Sequence, residues 1–247
     1  MAEVREGTRS RRLSYWGLGF TLLLTLVAGS TPSARNAETS EESMVPAREQ
    51  TLTQYRAYRR MHADSEHFGQ EGWLEAWTEM DDRGFRYTIV SESGSEYIRT
   101  KVLKAVLRRE QELIAAGENR RSELTPDNYD FERETYQNGE RYVQIKPKRK
   151  DVLLVDGRMV LSRDGNELLR VEGRLSKNPS FWTSLVNVIR HYARLDGVRV
   201  PISTESVAKV RFAGVAHLEM HYEYTTINGR PVSIAARQTV APVSTFR

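Results

Sequence analysis

The sequence lacks cysteine, which is absent from all 247 residues. We therefore expect no disulfide bond, no thiolate ligand for a metal and no cysteine-linked lipid anchor of the bacterial kind. The motifs of three enzyme classes are missing as well: the GxSxG nucleophile turn, the HExxH zinc site and a glycine-rich phosphate loop before a helix. These absences predict a non-enzymatic protein without a cofactor. A hydrolase would need a convergent Ser-His-acid or metal cluster, which no pattern in the sequence predicts.

The main apolar run, residues 16–28, is short. It has thirteen residues, follows four arginines and precedes the small residues GSTPSA. Spanning a bilayer takes about 20 apolar residues, whereas this layout is typical of a secretory signal peptide. We predict a cleaved signal peptide at residues 1–30, a disordered tether at 31–47 and a single domain at 48–247, with an uncleaved anchor as the alternative. The protein is then periplasmic and keeps no permanent membrane span.

The excess of positive charge is small. The chain has 37 Lys and Arg against 33 Asp and Glu, and residues 1–30 hold four of the basic and two of the acidic residues. The remaining chain has a net charge of +2, which argues against a nucleic-acid partner, because such proteins carry a strongly basic patch or stripe. The run KPKRK at 146–150 can meet anionic lipid headgroups or face solvent, and Pro147 favours solvent at a strand end or turn.

Hydrophobic spacing predicts the elements of the first half of the domain. In residues 48–61, apolar positions recur every three residues, which predicts a short amphipathic helix. Residues 73–80 alternate in polarity and residues 85–90 follow after a turn, which predicts a β-hairpin. Residues 97–117 return to helical spacing, with Val102 and Val106 on one stripe and Gly117 as the C-terminal cap, and so predict a long helix.

The second half, from Tyr129 onward, is rich in β-branched residues and turns. Five Asn-Gly or Asp-Gly pairs are set between these runs and predict tight turns, at residues 138–139, 156–157, 164–165, 196–197 and 228–229. Residues 209–224 alternate throughout, so we predict one long strand with an apolar even face and a polar odd face. The predicted fold is α+β: a curved antiparallel sheet, an open half-barrel, with helices covering its apolar face.

The histidines do not form a metal motif. His217 and His221 have the outer spacing of a zinc-protease helix, but the segment alternates as a strand. Strand residues four apart are separated by about 13 Å at roughly 3.3 Å per residue, too far to share one metal. We predict that both side chains face water, and that His62 and His67 lie in a surface loop.

Bulky apolar residues on the predicted strands have two interpretations. They are ordinary core between sheet and helix, or they line a cavity that shelters an acyl chain from water. The cavity candidates are Trp77, Phe85, Tyr87, Phe181, Leu185, Phe212, Leu218, Met220 and Tyr222.

Several blocks between residues 142 and 224 resemble one bacterial family. They are IKPKRK at 145–150, DGR at 156–158, RVEG at 170–173, KNPSFW at 177–182, VP at 200–201 with Ser203 and Ser206, and VRFAG at 210–214. In this order they resemble the outer-membrane lipoprotein-sorting proteins, relatives of the periplasmic lipoprotein carrier LolA.

The resemblance implies a half-barrel over an apolar cavity and an acyl chain of a lipoprotein or lipid as the ligand. Phe181 and Trp182 follow an Asn-Pro turn and must point to opposite faces of a strand. We predict that Phe181 enters the cavity, because Leu185 and Ile189 share its parity, and that Trp182 packs outside. The alternative function is an envelope sensor or interaction module that binds a partner protein with the same fold.

Overall fold

The computed structural model describes residues 50–181, 183–211 and 214–239. The predicted signal peptide and tether, as well as Trp182 and Phe212, lie outside these residues. No helix in the described part of the chain is long and apolar enough to cross a membrane.

The described residues form a hairpin-rich sheet interrupted by a single long helical segment. The first strands are β1 (Tyr55–Ser65), β2 (Gln70–Asp81) and β3 (Gly84–Gly94). The helical segment consists of α1 (Glu96–Ile98), a π-helical turn (Arg99–Leu103) and α2 (Lys104–Ala115), and a 3-10 turn (Asn119–Ser122) follows. The remaining elements are β4 (Tyr129–Gln137), β5 (Glu140–Pro147), β6 (Val155–Ser162), β7 (Leu168–Leu175), β8 (Thr183–Leu195), β9 (Val198–Val210), β10 (Gly214–Ile227), β11 (Arg230–Pro231) and α3 (Ile234–Thr239).

The eleven strands in the described part of the chain belong to one antiparallel sheet. The strand order is β3-β2-β1-β10-β9-β8-β7-β6-β5-β4, and β11 pairs with β10. Within the described chain β3 and β4 do not pair with each other, so the sheet is open. The predicted antiparallel sheet is confirmed, and so is the hairpin of β2 and β3.

The predicted helix at residues 48–61 is wrong, because β1 begins at Tyr55 and occupies the second half of this range. Burial along β1 alternates with period two, and the inward side chains include Tyr55, Ala57, Arg59 and Met61. On a strand, residues three apart point to opposite faces, so the apolar residues at this spacing do not share one face of β1. The inward face has period two but contains an arginine, which hides the alternation in the sequence.

Three of the predicted turns have the expected backbone. Asn138, Asp196 and Asn228 have φ near 50°, and each is followed by a glycine with positive φ, as type I′ hairpin turns require. The Asp-Gly pair at 164–165 also lies between strands, β6 and β7. The pair at 156–157 does not make a turn: Gly157 lies inside β6 opposite Gly173 of β7, where a Cβ would come within 2.1 Å of the Glu172 carbonyl oxygen.

The predicted strand at residues 209–224 is two strands. β9 ends at Val210 and β10 begins at Gly214, which pairs with Val210 in the antiparallel sheet. The parity of the second part is still as predicted, since Leu218, Met220, Tyr222 and Tyr224 are all buried. No Asn-Gly or Asp-Gly pair marks this turn, so the alternation continues across it in the sequence.

The long helix is confirmed and packs on the end of the sheet formed by β1, β2 and β3. Its side chains Val102, Leu103, Val106 and Leu107 belong to the main core cluster. The helix ends in a Schellman motif, in which the Glu118 N–H donates to the Leu113 carbonyl and Gly117 has φ of 68°. A second core cluster lies between β4 and β7, and Val155 packs against both.

Candidate functional site

Four of the predicted cavity residues meet beneath the helix. Phe85 of β3 and Leu218, Met220 and Tyr222 of β10 are buried in the cluster that contains the helical side chains. Tyr87 is partly buried and packs against the same cluster. The structure therefore brings these five residues to one apolar face, which we call the helix-covered face.

The other candidates lie elsewhere. Trp77 is on the opposite face of β2, where it stacks edge-on with Tyr58 at 5.1 Å and lies under the guanidinium of Arg56 at 4.2 Å. Phe212 lies outside the described residues. The predicted inward position of Trp77 is wrong, because the core side of β2 carries Leu74 and Ala76 instead.

The prediction that Phe181 enters a cavity is also wrong. Phe181 precedes β8, is 74% exposed, and lies under the guanidinium of Arg211 at 4.8 Å. On β8 the core residues are Val186 and Val188, while Leu185 is outside the cluster. A bulge between His191 and Tyr192 shifts the register. Odd-numbered residues such as Leu195 therefore reach the core only after this bulge.

The centre of the helix-covered face is filled by its own side chains. Leu74, Ala76, Leu103, Leu107 and Met220 have no exposed surface. A void that could hold a water molecule would leave surface exposed on the residues that line it. A ligand can therefore reach this centre only if the helix moves away from the sheet.

A salt bridge crosses this apolar centre. Arg59 of β1 donates from Nη1 to Oε2 of Glu110 at 2.6 Å and from Nη2 to Oε1 at 3.3 Å. Both side chains are at most 1% exposed. The guanidinium also lies 4.6 Å from the centre of the Tyr222 ring. Burial alone would lower the pKa of Arg59, but the charge of Glu110 and the nearby tyrosines outweigh it and the pKa is raised, so Arg59 keeps its charge.

Three hydrogen-bond donors next to this pair have no partner. None of the described residues pairs with the hydroxyl of Tyr55, the hydroxyl of Tyr224 or Nε of Arg59. The residues carrying them are 3%, 3% and 0% exposed. Burial, followed by the charge of Glu110, raises the pKa of Tyr55 well above its usual value, and burial does the same for Tyr224, so both hydroxyls keep their protons.

The sheet register places these donors around one small residue. Ala57 lies on β1 between Tyr55 and Arg59 and pairs directly with Tyr224 of β10. The Tyr55 and Tyr224 rings meet edge to face at 5.8 Å. Because inward side chains of a strand are two residues apart, Tyr55 and Arg59 flank Ala57 on the inward face, where Ala57 itself has no exposed surface. We call Tyr55, Arg59 and Tyr224 the donor triad.

Sequence patterns did not identify the triad, although one signal was present. Glu110 lies four residues after Val106 and three before Leu113, which puts a carboxylate on the apolar stripe of the helix. A buried carboxylate needs a buried cation. That requirement favours an arginine on the inward face of a neighbouring strand, and Arg59 satisfies it.

A second, charged cleft lies at the C-terminal end of the helix. It has a volume of about 190 Å³ and is lined by four basic residues, Arg109, Arg121, Lys150 and Lys177, together with Leu113, Glu118, Asp151, Val152 and Leu153. Asp151 is 5% exposed and accepts from Arg121 at 2.6 Å. Part of the positive charge of the cleft is therefore already paired within the protein.

Two histidines on the outer face of the sheet lie near carboxylates: His217 Nδ1 is 3.0 Å from Asp64, and His62 Nε2 is 3.7 Å from Glu71. The predicted loop position of His62 is wrong, because this residue lies in β1 and stacks on Trp73 with ring centres 4.8 Å apart. Across residues 50–181, 183–211 and 214–239, no group of three or more His, Asp or Glu is placed to hold a metal ion.

Comparison with known proteins finds a solved structure that is similar in fold. No protein-family model matches the chain, and no curated protein matches it. Among solved structures, the chain is similar to a DUF1329 family protein from Desulfovibrio piger, with 10% identity and a TM-score of 0.32. The match covers 73% of this chain and 86% of that chain. A similarity at this level carries no argument about function.

Proposed function

We propose that the chain is a non-enzymatic protein of the bacterial cell envelope that binds the acyl chain of a lipoprotein or lipid. It would be exported to the periplasm and act in lipoprotein sorting or lipid transfer. The observation that carries the proposal is the donor triad: buried polar atoms without partners on an otherwise apolar face. Unpaired buried polar atoms lower the stability of the folded state, so a protein that needed only a stable core would not be expected to keep them there.

The proposed binding site lies between the helix and β1, β2 and β10. In this proposal the sheet is a curved half-barrel and the helix is its cover, in line with the resemblance to lipoprotein-sorting proteins. The π-helical turn Arg99–Leu103 supports a moving cover, because such irregular turns are frequent at functional sites. An acyl chain would replace the contacts that Leu103 and Leu107 make with the sheet.

The first test is the identity of co-purifying molecules. Protein purified from the cell envelope should carry, in native mass spectrometry, a bound species that contains an acyl chain. Protein refolded from denaturant without lipid should lack this added mass. If the envelope-derived protein shows only the mass of the polypeptide, the proposal fails.

The second test measures whether the helix moves. Because the chain has no cysteine, a single one can be introduced without background. In Leu107→Cys the thiol lies beneath the helix, and we expect lipid vesicles or a monoacyl lipid to increase its reaction rate with a maleimide. Val143→Cys is the matched control, because Val143 is equally buried but lies in the second cluster. An equal change at both positions would mean general loosening, and no change at Leu107→Cys would contradict a moving cover.

An interaction module is the second candidate. It is favoured by apolar side chains on the open face of the sheet, where Ile189 of β8 and Val207 of β9 are 36% and 39% exposed. Val207 pairs with Asn187, two residues from Ile189, so the two side chains are diagonal neighbours. A pull-down from envelope extracts that returns one stoichiometric protein and no lipid would decide for this candidate.

A further inference from the structure

We infer that the charged cleft at the C-terminal end of α2 binds a phosphate monoester, a group with two negative charges. This cleft is separate from the helix-covered face, and its ligand does not depend on the acyl-chain proposal. Three properties of the cleft carry the inference: its open space, its excess of positive charge and the rigid connection between the loops that form it.

The cleft has space for a small ligand. Its volume is about 190 Å³, whereas about 10–15 Å³ of such space is enough to hold one water molecule. The buried side chains of Leu113 and Leu153 belong to its lining and form a small apolar cluster of their own. Six of the nine lining residues are charged. The cleft therefore suits a small charged group better than a hydrocarbon chain.

The charge of the cleft favours a dianion. Its lining has four basic and two acidic side chains, which leaves an excess of two positive charges. Both carboxylates, Glu118 and Asp151, already pair with Arg121, at 2.9 and 2.6 Å. In the described part of the chain, Lys150 and Lys177 form no salt bridge. Like charges in one concave space repel each other, and a phosphate monoester, with a charge of about −1.5 to −2 at pH 7, offsets this repulsion.

The basic side chains provide the two kinds of contact that phosphate groups make in proteins. An arginine binds a phosphate through two parallel hydrogen bonds, and a lysine provides a compact positive charge. Arg109 pairs with Glu112 at 3.1 Å, but both side chains are exposed to solvent. Exposed pairs of this kind are weak, so the guanidinium of Arg109 can turn from Glu112 to a ligand in the cleft.

The loops that carry the two lysines are fixed to each other. Lys150 precedes β6 and Lys177 follows β7, and the neighbouring Ser176 connects the two segments. The Ser176 hydroxyl accepts from the Asp151 N–H at 2.9 Å and donates to the Asp151 carbonyl oxygen at 2.9 Å. The Ser176 N–H donates to the Leu154 carbonyl oxygen at 2.8 Å. The backbone beside both lysines is thus already ordered, which lowers the conformational entropy lost on binding.

The experiment compares two soluble probes by isothermal titration calorimetry at neutral pH and low ionic strength. Glycerol 3-phosphate is a monoester, whereas dimethyl phosphate is a diester with a single charge. We expect glycerol 3-phosphate to bind about fivefold more tightly, because it carries the second charge. Lys150→Gln and Lys177→Gln should each weaken glycerol 3-phosphate binding about fivefold, the effect of one exposed charge pair. Both variants should keep the wild-type melting temperature, because neither lysine forms a salt bridge with the described residues.

Lys146→Gln is the matched control. Lys146 is an exposed lysine of the same basic run, but it lies on β5 and does not line the cleft. This substitution removes the same charge and should leave the affinity for glycerol 3-phosphate unchanged. Arg121 is not used as a test position, because its loss would leave the buried carboxylate of Asp151 without its closest cation.

Vesicles distinguish a lipid headgroup from a soluble phosphate monoester. Phosphatidylcholine vesicles that contain phosphatidic acid present a monoester, and vesicles that contain phosphatidylglycerol present a diester as the control. Binding of glycerol 3-phosphate in solution supports the inference and assigns the cleft to soluble monoesters. Binding only to the phosphatidic acid vesicles, weakened by Lys150→Gln and Lys177→Gln, also supports it and assigns the cleft to a lipid headgroup.

Four results would overturn the inference while leaving acyl-chain binding unaffected. Neither glycerol 3-phosphate nor the phosphatidic acid vesicles bind, or the diester binds as tightly as the monoester. Lys146→Gln weakens binding as much as the two cleft variants, which would mean a general attraction to basic surface. Lys150→Gln and Lys177→Gln lower the melting temperature without changing the affinity, which would mean that the lysines only stabilise the C-terminal end of α2.

Discussion

The buried pair of Arg59 and Glu110 allows a quantitative prediction about stability. Glu110→Gln keeps the shape of the side chain but leaves the guanidinium of Arg59 charged, buried and without its counterion. Both hydrogen-bonded side chains are at most 1% exposed, so water cannot replace the lost carboxylate. Breaking a buried ion pair costs about 3–5 kcal/mol. We therefore expect Glu110→Gln to lower the free energy of unfolding by about 4 kcal/mol, measured by urea titration with tryptophan fluorescence.

Two further variants separate charge from packing. Glu112→Gln is the matched control, because Glu112 lies on the same helix and forms an exposed pair with Arg109. It should change the unfolding free energy by less than about 0.5 kcal/mol. The double variant Arg59→Met/Glu110→Leu removes both charges and should recover most of the stability. If Glu110→Gln costs no more than Glu112→Gln, or if the double variant is as unstable as the single one, our account of the pair is wrong.

Three other predictions concern core and loop residues. Met220→Asp should prevent folding or cost about 4 kcal/mol or more, because Met220 has no exposed surface, whereas Val207→Asp on the open face should cost less than about 1 kcal/mol in circular-dichroism melts. Burial raises the pKa of Tyr129 to about 12, above the unfolded value near 10. The stability that neutral Tyr129 contributes is therefore complete below pH 10 and is lost as the pH rises to 12. In urea titrations at a series of pH values, Tyr129→Phe should reduce this alkaline loss of unfolding free energy by about 2 kcal/mol. Asn128 donates to two backbone carbonyl oxygens and accepts from Arg149, so Asn128→Ala should lower the free energy of unfolding by about 2–3 kcal/mol. The control Asn166→Ala, at an exposed turn, should lower it by less than about 1 kcal/mol. Equal melting temperatures of the two variants would contradict this prediction.

The antiparallel sheet was predictable because most of its inward faces are uniformly apolar. β2 alternates Leu74, Ala76 and Met80 with charged or aromatic residues, and its register follows from this alternation. Turns were predictable where an Asn-Gly or Asp-Gly pair provides the positive φ that a two-residue hairpin needs. Gly157 shows the limit of this rule. The same dipeptide also suits a strand in which another backbone, at Gly173, approaches too closely for a side chain.

The site was less predictable because it breaks the polarity rule on which the prediction depends. Arg59 is a charged residue at an inward position, so β1 lost its apparent alternation and was predicted as a helix. Glu110 was overlooked on the apolar stripe of α2 for the same reason. Phe181 was predicted to point inward from its parity with Leu185 and Ile189, but it precedes β8, and in this part of β8 the residues of the other parity, Val186 and Val188, reach the core.

The position of β10 has a consequence for how the chain is assembled during synthesis. This strand is among the last to emerge, yet it pairs with β1, whose residues precede it by more than 150 positions, as Met61 opposite Met220 illustrates. Until β10 has been synthesised, one edge of β1 is unpaired, and no strand connects the group β1–β3 with the group β4–β9. The nascent chain thus carries one half of a sheet at each end, and the long-range pairing that unites them closes late and slowly. A translocating or ribosome-bound chain shorter than about 214 residues cannot complete the sheet, because Gly214 is where β10 begins.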